Sequence, residues 1–295
     1  IAGPIVHHRE MLPQFFKPEN IRPRYRNLAV GLFILFIGVF KKAFIADHIE
    51  IFVAEIYDAA ALGREMSFLE AWGGTLAYSF QIYFDFSGSS DMASGLGRIF
   101  GITLPVNFDS PYKSQNIKVF WQRWHMTLSR FLRDYLYFPL GGNRRGAFRQ
   151  GVNLMIVMFL GGLWHGAGWN FALWGAVHGI FLVMYRGWSA LGGEHGVFYF
   201  LSQGVRTWGA RVLTFLAVTV AVVPVRASNI DVTENFLSGM VGLNGVMLPE
   251  WLKPAFGAFC MIDSCGGNLF SREMLFHQPT RYLWGLTLLG VVWFL

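Results

Sequence analysis

Charge is what this sequence has least of. Asp, Glu, Lys and Arg make up 14% of its 295 residues, against about 25% in a typical soluble domain. That scarcity excludes a disordered chain and a surface-charged coiled coil. Cysteine is nearly absent as well. Cys260 and Cys265 are the only two, too few to staple a scaffold, and a Cys-x4-Cys pair with no His nearby is a poor zinc site. Internal repeats and low-complexity tracts are missing too.

What fills the space is apolar. Hydrophobic residues reach 54% and aromatics 17%, carried by 29 Phe and 11 Trp, and the mean hydropathy is +0.40. Such a chain has lipid as its main solvent, so its backbone polar groups must be satisfied within helices. The pattern predicts an all-α, multi-pass transmembrane protein. Apolar runs span 28–40, resuming at 43–46 after Lys41-Lys42, then 72–86, 152–164, 171–185 and 212–225. At Lys41-Lys42 either a helix leaves the membrane or a long tilted helix snorkels its lysines. Residues 226–281 read as loop, short helix and amphipathic surface. The chain opens Ile1-Ala2-Gly3-Pro4 without a signal-like segment and stops inside an apolar run, 282–295. Both ends therefore read as incomplete, and 1–295 is expected to be part of a single larger membrane domain.

Residues 98–149 hold nine Lys or Arg against only Asp109 and Asp134, more than the +6 net charge of the whole chain. The positive-inside rule assigns this segment to the cytoplasmic face as an interfacial stretch, with the basic 9–26 segment beside it. Trp121, Trp124, Tyr135 and Tyr137 interleave the cations as they would in a single-strand nucleic-acid binder. Between membrane segments, topology and interface account for that pattern, and no nucleic-acid partner is expected.

Two constellations could carry chemistry. In the 120–135 stretch, Phe120, Trp124, Leu128, Phe131 and Tyr135 form one apolar stripe at helical spacing, Arg123 and Arg130 share another face with Arg133 close by, and His125 and Ser129 are neighbours. One amphipathic helix could lie at the interface and turn His125 inward; an anchoring helix with an incidental histidine fits equally. The second is Gly161-Gly162-Leu163-Trp164-His165-Gly166-Ala167-Gly168-Trp169-Asn170. A helix starting near Arg149 puts His165 roughly 24 Å along, most of the way through a ~30 Å hydrocarbon core. An ionisable group at that depth is a functional candidate, and the four glycines permit close approach. A packing seam of small residues with a structural histidine is the competing reading.

The remaining candidates are weaker. His178 on an apolar face reads as structural. His7-His8 lack metal-ligand spacing, and His48, His195 and His277 sit in loop-like surroundings. Asp85-Phe86-Ser87-Gly88-Ser89-Ser90-Asp91 could pair two carboxylates, but reads better as the cap of the following helix. No metal site is expected. The sequence has no Walker A loop, no Gly-x-Ser-x-Gly elbow, no His-Glu-x-x-His and no aligned His-x4-Asp. Gly95-Leu96-Gly97 with Phe100 misses the third glycine of a dinucleotide fingerprint. Histidines in a membrane without a metal set or nucleotide loop suit proton abstraction from a hydroxyl.

Taken together, these residues resemble the membrane-bound O-acyltransferase (MBOAT) family, in its bacterial branch of alginate O-acetylation and teichoic-acid D-alanine transfer proteins. The resemblance is carried by Ala2-Gly3-Pro4-Ile5 with Leu12-Pro13-Gln14-Phe15, by the 84–93 and 120–135 stretches, and by Pro139-Leu140-Gly141-Gly142-Asn143-Arg144. Gly162-Leu163-Trp164-His165-Gly166-Ala167, Trp174-Gly175-Ala176-Val177-His178-Gly179 and a looser Val225-Arg226-Ala227 complete it, and the 139–144 motif tilts it toward the alginate type. It implies a helical membrane fold with a tunnel through a thin centre, in the bacterial inner membrane. It implies an O-acyltransferase that moves an acyl group, acetyl in the alginate type, from a cytoplasmic thioester such as acetyl-CoA. The acceptor would be an extracytoplasmic polysaccharide such as alginate, or a periplasmic acceptor or acetyltransferase partner. No bound cofactor is implied. By match, His165 is the base and His125 the second histidine, with Arg123, Trp124, Ser129, Arg130, Trp164 and Asn170 expected to contact substrate. A transporter or scaffold subunit whose periplasmic partner does the chemistry is the alternative.

Overall fold

The computed structural model describes residues 3–20, 22–192, 202–249 and 270–271. Cys260, Cys265, His195, His277 and the closing apolar run lie outside these residues. The described chain is helical, apart from a two-residue parallel pair of β1 (Leu248–Pro249) and β2 (Phe270–Ser271). It divides into two compact units, one of residues 1–48 and 81–218, the other of 49–80 and 219–295.

The first unit opens with the short α1 (His8–Phe15) and then α2 (Tyr25–Val39). A π-helical turn, Phe40–Ala46, joins α2 to α3 (Asp47–Ala61). The run from Tyr25 to Ala61 is thus one uninterrupted 37-residue helical rod, apolar enough to cross a membrane. Its two lysines do not end the helix. Lys41 Nζ lies 2.7 Å from Asp91 Oδ2 and Lys42 Nζ 2.7 Å from Asp85 Oδ1, both carboxylates on α4 (Phe68–Ile99). This corrects the capping expectation for 85–91. The acids sit inside a 32-residue helix, where no N–H needs a cap, and are retained as partners for cations from another helix.

Glycines let α2 approach α4 closely enough for those pairs. A Cβ on Gly38 would lie 2.6 Å from Gly88 O, and one on Gly95 would lie 2.7 Å from Gly31 O. With the members seven positions apart on each helix, the small residues form a seam over two turns, as membrane helices use for close packing. Further along, α5 (Ile117–Arg123) and α6 (Met126–Leu132) are short, and a second π-helical turn, Arg133–Tyr137, follows. Asn116 caps α5, its side-chain oxygen accepting from Val119 N at 2.9 Å.

The hairpin of α7 (Gly146–His165) and α8 (Trp169–Ala190) completes the core of this unit. Its helices touch through glycine: a Cβ on Gly162 would meet Phe171 O, and one on Gly175 would meet Met158 O. The 126–142 stretch runs antiparallel to α7. Leu132 packs at Gly161, and Asn153 Nδ2 donates to Gly142 O at 2.9 Å. The 132–142 part of the basic segment therefore lies beside α7. Among the described residues, α7 and α9 (Gln203–Arg226) are the other two helices long and apolar enough to span a membrane. The expected runs in α4 and α8 are helical but fall outside that class.

The second unit packs the start of α4 and the end of α3 against α10 (Ile230–Met240). Fully buried Phe236 stacks on Tyr57 with ring centroids 4.1 Å apart. Buried Glu70 accepts from Ser67 Oγ at 2.7 Å and pairs with Arg64 at 2.8 Å. Asn229 caps α10 through Val232 N.

Candidate active site

His125 stands at a break, not on a helix face. The stretch expected to be one amphipathic helix is two, because Trp124 is extended (φ −97°, ψ 126°) and His125 adopts the left-handed conformation (φ 42°, ψ 54°) between α5 and α6. For a residue with a Cβ that conformation costs on the order of 1–2 kcal/mol. Packing and hydrogen bonds hold it there. The Trp124 ring is wedged among Phe108 at 5.2 Å, Phe120 at 5.6 Å and Tyr112 at 5.9 Å. The freed backbone is satisfied by the 105–109 loop, where Met126 N donates to Asn107 O at 2.9 Å and Asp109 N donates to Arg123 O at 3.0 Å. The side chain of Asn107 does more: its Oδ1 lies 3.2 Å from His125 Nδ1 and accepts from Thr127 Oγ1 at 2.8 Å.

His165 is the last residue of α7, and Gly166, extended at φ 178°, turns the chain toward α8. The glycine contacts above bring α8 close enough for Trp174 to meet His165. Their rings stand edge to face at 5.2 Å, and the Trp164 ring lies 4.9 Å from His165. The same Trp164 ring is 6.5 Å from His125. Both histidine rings thus meet a single indole. His165 is half-buried, His125 is 3% exposed, and Trp164 is 48% exposed. Burial, reinforced by the neighbouring His165, pushes the His125 imidazole down to about 4, so it is neutral at physiological pH.

The ring cluster continues inward. His178, 1% exposed, packs against Trp174 at 5.1 Å and Trp121 at 5.2 Å, and its buried Nδ1 has no hydrogen-bond partner among the described residues. Asn170 is buried in the first turn of α8. Of the four glycines around His165, Gly162 serves helix packing, as the seam reading expected.

The expected binding residues divide into two groups. Ser129 and Arg130 line a groove of about 590 Å³ together with Lys118, Trp121, Thr127 and Arg133 and with apolar residues of α7. Arg123, Trp124, Trp164 and Asn170 are elsewhere. The break at His125 separates Arg123 from Arg130: Arg123 lies 3.8 Å from Asp109, while Arg130 holds Glu10 of α1 in a bidentate pair at 2.6 and 2.9 Å. Arg133 binds Asp134 at 2.8 Å and holds its carboxyl below the usual carboxylate range. His7 stacks on Tyr135 at 5.5 Å. Sequence reasoning missed Asn107 and Thr127. The 105–111 stretch reads as a Pro-flanked turn, and only the long-range contact to His125 gives it a role.

A family model for MBOAT, the membrane-bound O-acyltransferase family, matches residues 1–223. The chain is 46% identical over 280 residues to the peptidoglycan O-acetyltransferase of Helicobacter pylori, covering 95% of this chain and 51% of that protein. It is 42% identical over 253 residues to a probable alginate O-acetylase of Azotobacter vinelandii, covering 86% and 48%. Against the teichoic acid D-alanyltransferase of Streptococcus thermophilus the identity is 30% over 195 residues, covering 63% and 47%. The chain spans about half the length of these relatives. With most of its length matched by the family model and its two motif histidines assembled around one tryptophan, the chain belongs to the membrane-bound O-acyltransferase family.

Proposed function

We propose that this protein transfers an acyl group, acetyl by its likeness to the O-acetylating relatives, from a cytoplasmic thioester to an extracytoplasmic polysaccharide hydroxyl or a periplasmic acceptor protein. The setting is the bacterial inner membrane. The observation that carries the reading is the convergence of His125 and His165 on Trp164, produced by two separate chain breaks. Nothing in helix packing alone requires both.

His165 acts as general base. It takes the proton of the acceptor hydroxyl as that oxygen attacks the thioester carbonyl, and returns it to the departing thiolate, giving ester and thiol. Trp164 and Trp174 fix its ring edge-on, and its half-buried position leaves room for substrate. The groove beside Arg130, Arg133 and Lys118 receives the donor from the cytoplasmic side, Lys118 attracting an anionic carrier that can exchange with Glu10 on Arg130 and Asp134 on Arg133, and the apolar wall taking the acyl arm. His125 orients the donor next to the base.

General acid–base help contributes ~10²–10⁴-fold. His165→Ala should therefore lower transfer by at least about a hundredfold while the protein still inserts and purifies normally. Near wild-type polymer acetylation by that variant removes His165 from the mechanism. Acyl transfer from thioester to hydroxyl by the purified protein alone supports the enzyme reading; transport of the donor without transfer would replace it with a transporter or scaffold role.

A further inference from the structure

We infer that Asn107 is a positioning residue that locks the His125 ring with its proton on Nδ1, leaving Nε2 bare to accept a hydrogen bond from a bound substrate. The catalytic part of this inference rests on the acyl-transfer reading above; the tautomer does not.

The amide of Asn107 is 4% exposed, and its partners distinguish its two ends. Thr127 N, which can only donate, lies 3.3 Å from one end, so that end is the oxygen. The Thr127 hydroxyl accepts from Ile5 N at 2.9 Å and therefore turns its own proton to the same Asn107 oxygen at 2.8 Å. The other end, Nδ2, donates to Ser90 Oγ at 2.9 Å. Reversing the amide would set an N–H against the Thr127 N–H, donor against donor.

With Oδ1 fixed as an acceptor, His125 Nδ1 at 3.2 Å must be the donor. A neutral imidazole has one ring proton, so Nε2 then has a free lone pair. The same asparagine also accepts from Met126 N through its backbone oxygen, stabilising the left-handed turn that aims the ring. Phe86 at 6.0 Å and Phe108 at 6.2 Å bracket that ring. One residue thus sets the backbone, the orientation and the protonation pattern of His125.

The chemical consequence is directional. A neutral ring protonated on Nδ1 offers no donor on its free side, so His125 cannot stabilise an oxyanion by donating to it. It accepts, from an O–H or N–H of donor or acceptor, and so fixes that group beside His165.

The test is the ¹⁵N spectrum of histidine-labelled, intact protein in nanodiscs at neutral pH, with the His125 signals assigned by their loss in His125→Gln. The expected signature is a protonated-type Nδ1 and an unprotonated-type Nε2; the opposite signature overturns the inference. Asn107→Leu should release the ring to both tautomers, while Asn107→Asp, which keeps an oxygen at that position, should retain the Nδ1–H form. A misheld tautomer costs a histidine mechanism up to ~10⁴-fold in kcat. Asn107→Leu should therefore lose about tenfold or more in kcat, with Asn107→Asp restoring part of it. Full activity of Asn107→Leu overturns the positioning role. If Asn107→Leu does not fold, the wild-type spectrum still decides the tautomer. If purified protein transfers no acyl group at all, the acyl-transfer reading fails while the spectrum still reports on Asn107.

Discussion

Replacing Gly175 by Ala alters no group that does chemistry, yet it should nearly silence the protein. The added Cβ would sit well inside contact distance of Met158 O and 3.1 Å from Phe159 Cα, on the facing helix of the hairpin. A carbon needs about 3.3–3.6 Å from a carbonyl oxygen, so α8 must withdraw by about 1 Å. Overpacking of this kind costs ~1–3 kcal/mol. The larger effect is geometric, because Trp174 lies one residue before Gly175 and packs edge-on against His165 at 5.2 Å. A shift of ~1 Å at a positioned catalytic group is worth ~10²-fold in rate, or about 2.7 kcal/mol of barrier. Gly187 on the same helix has no atom of the described residues within 4 Å of its Cβ position, so Gly187→Ala serves as the control and should gain up to ~1 kcal/mol of helix propensity. Thermal unfolding in detergent and acyl transfer from a radiolabelled thioester measure both terms. Wild-type rate and unfolding temperature in Gly175→Ala would refute the close hairpin contact and the role assigned to it.

Burial of His125 has a signed consequence for pH. Its folded value of about 4 lies below the ordinary 6.5, so only the unfolded chain takes up the proton as pH drops from 6.5 toward 4. Stability should therefore fall across that window, by on the order of 3 kcal/mol from this group, and be unaffected by it above 6.5; acid-inactivation curves of His125→Gln should be flatter. Lys41→Asp and Asp91→Lys should each destabilise the protein by leaving a partly buried charge unpaired, and the double exchange should recover part of the loss. A double-mutant cycle in detergent would show coupling above the ~1 kcal/mol of exposed pairs, since both side chains are about 30% exposed or less. Asn153→Leu should cost ~1–3 kcal/mol by orphaning the Leu140 and Gly142 carbonyls that its Nδ2 serves, readable as a lowered unfolding temperature.

The parts of the site that were legible in the sequence are those set by local pattern. Trp164-His165 stands out as a polar exception inside an apolar run, and the aromatic and basic 120–135 stretch announces itself by composition. The break at His125 was not legible, because Arg123-Trp124-His125-Met126 contains no glycine, proline or asparagine to signal a turn. Its cause is the Asn107 network, reached from eighteen residues upstream. The acids at 85 and 91 carried the same lesson. Asp, Ser and Gly in a row read as a cap locally, and only the arrival of Lys41 and Lys42 from another helix explains carboxylates in mid-helix. Periodicity reports which face a residue occupies; it does not report who meets it there.

The antiparallel course of α6 along α7 also makes the site a ruler. His125 and Arg133 are eight positions apart on almost continuous helix, about 12 Å of rise. On the proposed reading, a donor whose anionic end takes the place of Asp134 on Arg133 meets the histidines only if a flexible arm of about that length joins its charge to its thioester. A truncated thioester without that arm would carry the same reactive carbonyl and still be a poor substrate. Reach, as much as charge, then selects the donor.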